Sequence, residues 1–293
     1  TDSVTFESTG PQQLQTIDFS KILTFGGKNP ASGISFSVTA EEVGEGDGLT
    51  NVGAIRGAIP LGDVVIDGDL GKLIAGSGQT KVGLKSLTVE SIGKFGTSTQ
   101  PPGANPPTPI DPAPDLELRV VGQLGKLVVH GDMEGYIHVV NATTIIGTNI
   151  VVIGAGSIGS IDIGGSLKGK TGTGADNTGL IEVQRDIGSV RIGTGEDGGG
   201  IIGGSGNRAG AIVAGGKIRS IEIADDVIGG AGKNSGFISA TTSISNLAIG
   251  NDLKGGDGEQ SGAVTTKTLK VLEIGNDVVG GKGKISGSVN GST

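Results

Sequence analysis

The chain has 293 residues, of which 59 are Gly, with no Cys or Trp, a single Tyr and 2% aromatic residues. A compact α/β enzyme core leans on aromatic side chains for buried area, so this composition argues against one. The formal net charge of −8 argues against a nucleic-acid partner, which needs a basic stripe, while 34% hydrophobic residues exclude global disorder.

Residues 1–57 stand apart. They hold four of the six Phe residues (Phe6, Phe19, Phe25, Phe36) and alternate in Val4-Thr5-Phe6 and Ile34-Ser35-Phe36-Ser37-Val38. The ends of repeat proteins are atypical because they close the core against water, so this stretch is read as an N-terminal β cap and assembly segment. Repeat grammar starts near Gly62, with Val65, Ile66, Asp69 and Leu70, followed by Leu73, Leu84, Leu87 and Val89. Residues 97–115 carry seven of the ten prolines. Pro cannot donate to a β ladder, and the grammar resumes at once with Leu124, Leu127, Val129, Asp132 and Met133. The Pro-rich segment is therefore read as a loop leaving one continuous domain, 58–293.

Ile158, Ile161 and Ile163 recur as Ile187, Val190 and Ile192, then as Ile218, Ile221 and Ile223, then as Ile244, Leu247 and Ile249, and finally as Leu269, Leu272 and Ile274. The successive shifts are 29, 31, 26 and 25 residues, the longer ones containing Gly-rich inserts near Gly172 and Gly195. A second column runs through Leu180-Ile181, Ala211-Ile212, Phe237-Ile238, Ala263-Val264 and Ser288-Val289. A fixed period of this size marks a solenoid. Repeated Gly disfavours helix and β-branched residues suit a pleated surface, so each unit is predicted to hold three short strands. In Ser220-Ile221-Glu222-Ile223 the two Ile side chains share one face and Glu222 takes the other. Asp162, Arg191 and Glu222 then alternate in sign on neighbouring rungs. The expected fold is all-β, a right-handed parallel β-helix with 25–31 residues per rung.

Two stretches imitate nucleotide-binding motifs. Ile150 to Gly159 contains an apolar strand followed by Gly-x-Gly-x-x-Gly, and Gly164 to Thr171 spells a P-loop. Both motifs act through the N-terminus of a following helix. The next residues are the strand-like Ser160-Ile161-Asp162-Ile163 in one case and the helix-poor Gly172-Thr-Gly174 in the other, so neither motif is read as a cofactor site.

Asp225-Asp226, Asn251-Asp252 and Asn276-Asp277 occupy equivalent positions and should stack. Asn and Asp cap turn amides with their own side chains, and the column is read in that way. Like charges one rung apart repel, and Ca²⁺ bound by these oxygens is the competing reading. His130 and His138 are read as solvated strand residues. Tyr136 is the only Tyr or Trp on which a sugar ring could stack, and no acid pair recurs on one face, so no catalytic residue is assigned.

The repeats over 62–293, quoted by Ile249-Gly250-Asn251-Asp252-Leu253 and Ser261-Gly262-Ala263-Val264, resemble the Gly-rich β-solenoid repeats of bacterial secreted and adhesin-like cell-surface proteins. That resemblance implies export and a structural or adhesive role. The absence of Cys fits export without a disulfide framework, the start at Thr1 fits a processed or excised chain, and no apolar run approaches the ~20 residues of a membrane span. The expectation is a non-enzymatic extracellular structural protein. It self-associates head to tail through Val4 and Phe6 of one copy and Ile285 and Val289 of the next. A polysaccharide-binding or polysaccharide-degrading β-helix is the alternative.

Overall fold

The computed structural model describes residues 3–6, 14–19, 31–42, 47–96, 98–99 and 116–292. None of these is helical, and nearly all strands join parallel sheets that coil around one core. One rung shows the plan. Lys217–Ile223 forms a first face and Val227–Ile228 a short second face. Phe237–Ile249 supplies the third face with its first four residues, then turns the corner to begin the next rung. Each face stacks in register on its neighbours. Ile192 pairs through Ile223 to Ile249, Ile201 through Val227 to Leu253, and Ile212 through Ile238 to Val264. This is the expected parallel β-helix.

The inward set follows from side-chain alternation. In Ile158–Ile163 the buried positions are Ile158, Ile161 and Ile163, and the same three columns are buried in the rungs above it to Ile249. Together with the second- and third-face aliphatics they form one continuous core. On the third face the alternate residues Leu180, Ala211, Phe237 and Ala263 point the other way and make a second, small cluster with Tyr136 and Val213.

The described N-terminal strands stack on the same columns. Ser3–Phe6 pairs with Ser35–Val38, which pairs with Leu61–Gly76, and Leu14–Asp18 reaches the same long strand through Val52–Arg56. Ile17, Phe19, Phe36 and Ile55 belong to the common core, with the Phe19 and Phe36 rings 5.6 Å apart. The expected Pro-rich loop lies outside the described residues, except for Ser98 and Thr99.

The Gly-rich loops that join second to third face explain the repeat's lettering. In loops 229–236 and 255–262 two residues take positive φ: Asn234 (55°) with Gly236 (60°), and Gln260 (55°) with Gly262 (56°). A buried hydroxyl ties each loop. Ser235 Oγ accepts the Gly230 N–H at 2.9 Å and donates to the Gly232 carbonyl at 2.8 Å, and Ser261 Oγ accepts from Gly256 at 2.9 Å. Outside, opposite charges meet from rung to rung: Arg191 on Asp162 at 2.6 Å, as the sequence predicted, Lys85 on Asp63 at 2.7 Å and Lys233 on Glu259 at 2.9 Å.

Candidate functional site

The Asx column sits at the corner entering the second face. Asp226 Oδ1 accepts the Asp252 N–H at 2.9 Å, and Asp252 Oδ1 accepts the Asp277 N–H at 2.8 Å. Lower in the stack Asp132 accepts the Ser166 N–H at 2.8 Å. The second carboxylate oxygens meet lysine: Lys254 Nζ lies 2.7 Å from Asp252 and 3.1 Å from Asp226, and Lys168 lies 2.5 Å from Asp132. Beside them the Asn251 amide donates to Asp225, and the Asn276 amide to Asn251 at 3.4 Å. Lys254 thus offsets the like charges of Asp226 and Asp252, and one oxygen of each accepts from the backbone amide of the next rung. Among the described residues no three acidic, His or Cys side chains converge on a point.

This arrangement has a defined pH response. The Lys254 bond, then the Asp277 N–H, hold the Asp252 carboxyl below its ordinary value of 3.8. Asp252, then Asp226, push Lys254 above its ordinary 10.5. The carboxylate's contribution is therefore present above pH 3.8 and lost as acid titrates the folded group. The lysine's is present below pH 10.5 and lost as base titrates it. Lys254→Met is expected to lower the melting temperature at pH 7, with the gap to the parent protein closing in acid. Millimolar Ca²⁺ is expected to leave the parent's melting temperature unchanged. A rise of several degrees that a chelator reverses would reassign the column to metal.

A second constellation lies on the outward side of the third face. Strands Glu117–Val121, Tyr136–Val140 and Leu180–Val183 are adjacent, pairing Glu117 with Tyr136, Arg119 with His138, and His138 with Glu182. Ile137, Val139, Ile181 and Val183 enter the core, so alternation sends the polar residues outward. His138 Nδ1 is 2.8 Å from Glu117 Oε1, whose side chain is only 2% exposed, and the Arg119 guanidinium is 3.8 Å from the same oxygen. The His138 ring stacks on Tyr136 with centroids 5.4 Å apart. The Tyr136 hydroxyl donates to Glu182 Oε2 at 2.5 Å, and Arg208 donates to Oε1 at 2.5 Å.

One sequence reading is corrected here: His138 is half-buried and paired with Glu117, not solvated. His130 is exposed as expected. The missed signal was the alternation of Glu117-Leu-Arg119 over Tyr136-Ile-His138, which fits the third-face column once the frame is carried across the Pro-rich segment.

Electrostatics fix the roles in this cluster. Burial alone would raise the Glu182 carboxyl, but the Tyr136 hydroxyl and Arg208 outweigh it and hold the group below its usual range. Burial, then the Glu182 charge, push the Tyr136 phenol well above its ordinary value. At neutral pH the pair is a locked donor and acceptor.

Nearby, a shallow depression of ≈ 390 Å³ is lined by Glu134, Lys168, Lys170, Thr171 and Ile202. These include the P-loop letters, but Leu167–Lys168 is a strand, and Lys170 is held 3.0 Å from Glu134. The other imitation motif also dissolves. Ile150 to Ile153 belongs to one arm of an antiparallel hairpin, Ala142–Ile146 with Asn149–Gly154, and the strand Ile158–Ile163 comes next.

The chain matches no protein-family model, curated protein or solved structure with which it was compared.

The expected assembly residues occupy the two ends of the stack. Val4 and Phe6 lie on the first strand, opposite Phe36 and Val38, and Val289 pairs with Val264 on the last. Ile285 stands at the positive-φ loop position of Asn234 and Gln260 (φ 60°), outside the aliphatic columns, and is 44% exposed.

Proposed function

We propose that the chain is a non-enzymatic structural rod of the bacterial exterior that associates end to end with further copies. One observation carries this reading: outward charges on neighbouring rungs neutralise each other, as in Asp63–Lys85, Asp162–Arg191, Asp226–Lys254 and Lys233–Glu259. Such groups hold register, whereas a catalytic surface keeps charged groups turned toward a cleft. The extracellular placement rests on the resemblance of the repeats. End-to-end contact rests on the β-prone Val4-Thr5-Phe6 strand, which would add to a rung of a second molecule at Ile285 and Val289. A head-to-tail contact of this kind propagates.

Electron micrographs of the purified protein test the reading. Rods or filaments are expected, and deletion of residues 1–10 should abolish them while β structure is retained. Monodisperse monomers at high concentration, with or without those residues, would overturn it. The outward cluster of Glu117, Tyr136, His138 and Glu182 supports the second reading, a polysaccharide-binding or polysaccharide-degrading β-helix. Soluble sugar products released from a polysaccharide by the parent protein, and not by His138→Ala, would establish that reading in place of the first.

A further inference from the structure

We propose that the hairpin Ala142–Ile146 with Asn149–Gly154 is a dimerisation arm, and that its occupant is the same hairpin of a second copy of this chain. The hairpin is an insertion. Elsewhere the chain passes from third to first face through residues 184–186, through Gly215 and Gly216, or within the single strand Phe237–Ile249. Between Val140 and Ile158 it takes the 17 residues 141–157. The ladder closes beneath regardless, since Leu124 pairs directly with Ile158 and Val139 with Val183. Register therefore does not need the arm.

Among the described residues it carries the three most exposed large hydrophobic side chains. Ile145, Ile146 and Ile150 are 74%, 63% and 76% exposed, and Val152 is 45% exposed. Ile145 opposes Ile150 and Thr143 opposes Val152, so alternation puts these four on one side of the hairpin. Contiguous apolar patches of roughly 300–600 Å² on monomers are commonly functional. The two arms pair only with each other among the described strands, so each also keeps an open row of backbone donors and acceptors.

Charge selects the occupant. Residues 141–157 contain no charged side chain, in a protein with 22 basic and 30 acidic residues. A charged partner finds no counter-charge within the arm, and the one lysine at its base, Lys81, which lies against Gly154, is too little for the basic face that an anionic lipid surface needs. Two copies of net charge −8 repel over most of their surface, and this uncharged arm is where they approach without that penalty. An antiparallel edge is also self-complementary, so two hairpins related by a two-fold axis present identical faces to each other.

Sedimentation of the full chain across a concentration series provides the test. A reversible two-fold association is expected, weakened at least about thirtyfold by Ile145→Asp with Ile150→Asp. The arm lies outside the core, so the variant should keep the parent's spectrum and melting temperature. If the protein also forms end-to-end rods, the expected result is rods of unchanged length with half the mass per unit length. Because the chain lacks Cys, single cysteines give a second readout. One of Thr143→Cys, Thr144→Cys or Ile145→Cys should form an intermolecular disulfide under oxidation, while Ser220→Cys on the first face should not. Association unchanged in the double variant, or a parent protein monomeric throughout, overturns the proposal. A monomeric parent that binds neutral phosphatidylcholine vesicles through the arm would instead assign the hairpin to a lipid surface.

Discussion

Replacing Gly232 by Ala is expected to destabilise the protein by about 3 kcal/mol or more. The Gly-rich loops lie directly on one another, and a Cβ at Gly232 would sit 1.8 Å from the Gly206 carbonyl oxygen and 2.4 Å from its carbon. The same contact repeats up the column, from Gly258 to the Gly232 oxygen at 2.0 Å and from Gly283 to the Gly258 oxygen at 1.9 Å. The obstacle is backbone, held by the ladders on either side, so no rotamer change relieves it; the loops must separate and lose their hydrogen bonds.

A matched pair supplies the control. A Cβ at Gly255 would meet the Gly287 nitrogen at 2.5 Å, whereas the equivalent Gly280, one rung further, meets only the Ser286 oxygen at 3.9 Å. Gly280→Ala should therefore change stability by less than about 0.5 kcal/mol, or raise it slightly by restricting the unfolded chain. Urea unfolding of Gly232→Ala and Gly280→Ala measures this. Equal stabilities for Gly232→Ala and Gly280→Ala would mean that the loops do not stack as described.

The second large effect is expected in the aliphatic core. Leu247 is 1% exposed, with Ile221 beneath it and Leu272 above. Leu247→Ala should cost about 2–5 kcal/mol, the lost transfer energy together with the cavity that the rigid rungs cannot close. Leu272 occupies the same column but is 40% exposed, and Leu272→Ala should cost less than about 1 kcal/mol in dilute monomer. The comparison also reads out assembly. Where molecules stack end to end, a covering rung buries Leu272 and the penalty for its truncation rises toward that of Leu247. If the two truncations are equally harmful in a protein shown to be monomeric, the rung assignment of Leu272 is wrong.

The sequence by itself determined the winding. A side chain in a strand has two directions to take, and Ile161 and Ile163 repeating as Val190 and Ile192 under a fixed period say which is inward without any knowledge of the partner strands. The same local logic placed Asp226, Asp252 and Asp277 in one column and set Arg191 on Asp162. It also kept two nucleotide-binding patterns from being read as sites, because neither leads into a helix.

Only the tertiary structure decided which outward residues meet. Tyr136 reaches a carboxylate 46 residues away, and Arg208 approaches that carboxylate from a loop. The rung offset between them depends on the lengths of the intervening insertions, the hairpin and the 169–179 loop among them, and the alternation of apolar residues does not encode those lengths. Likewise Ile150 and Val152 look like core by composition. They are exposed because the two-residue turn at Gly147-Thr148 folds their strand back on Ala142–Ile146 and carries the pair out of the stack. Burial in this protein follows from a strand's place on a rung, and place on a rung is fixed by parallel pairing between distant segments.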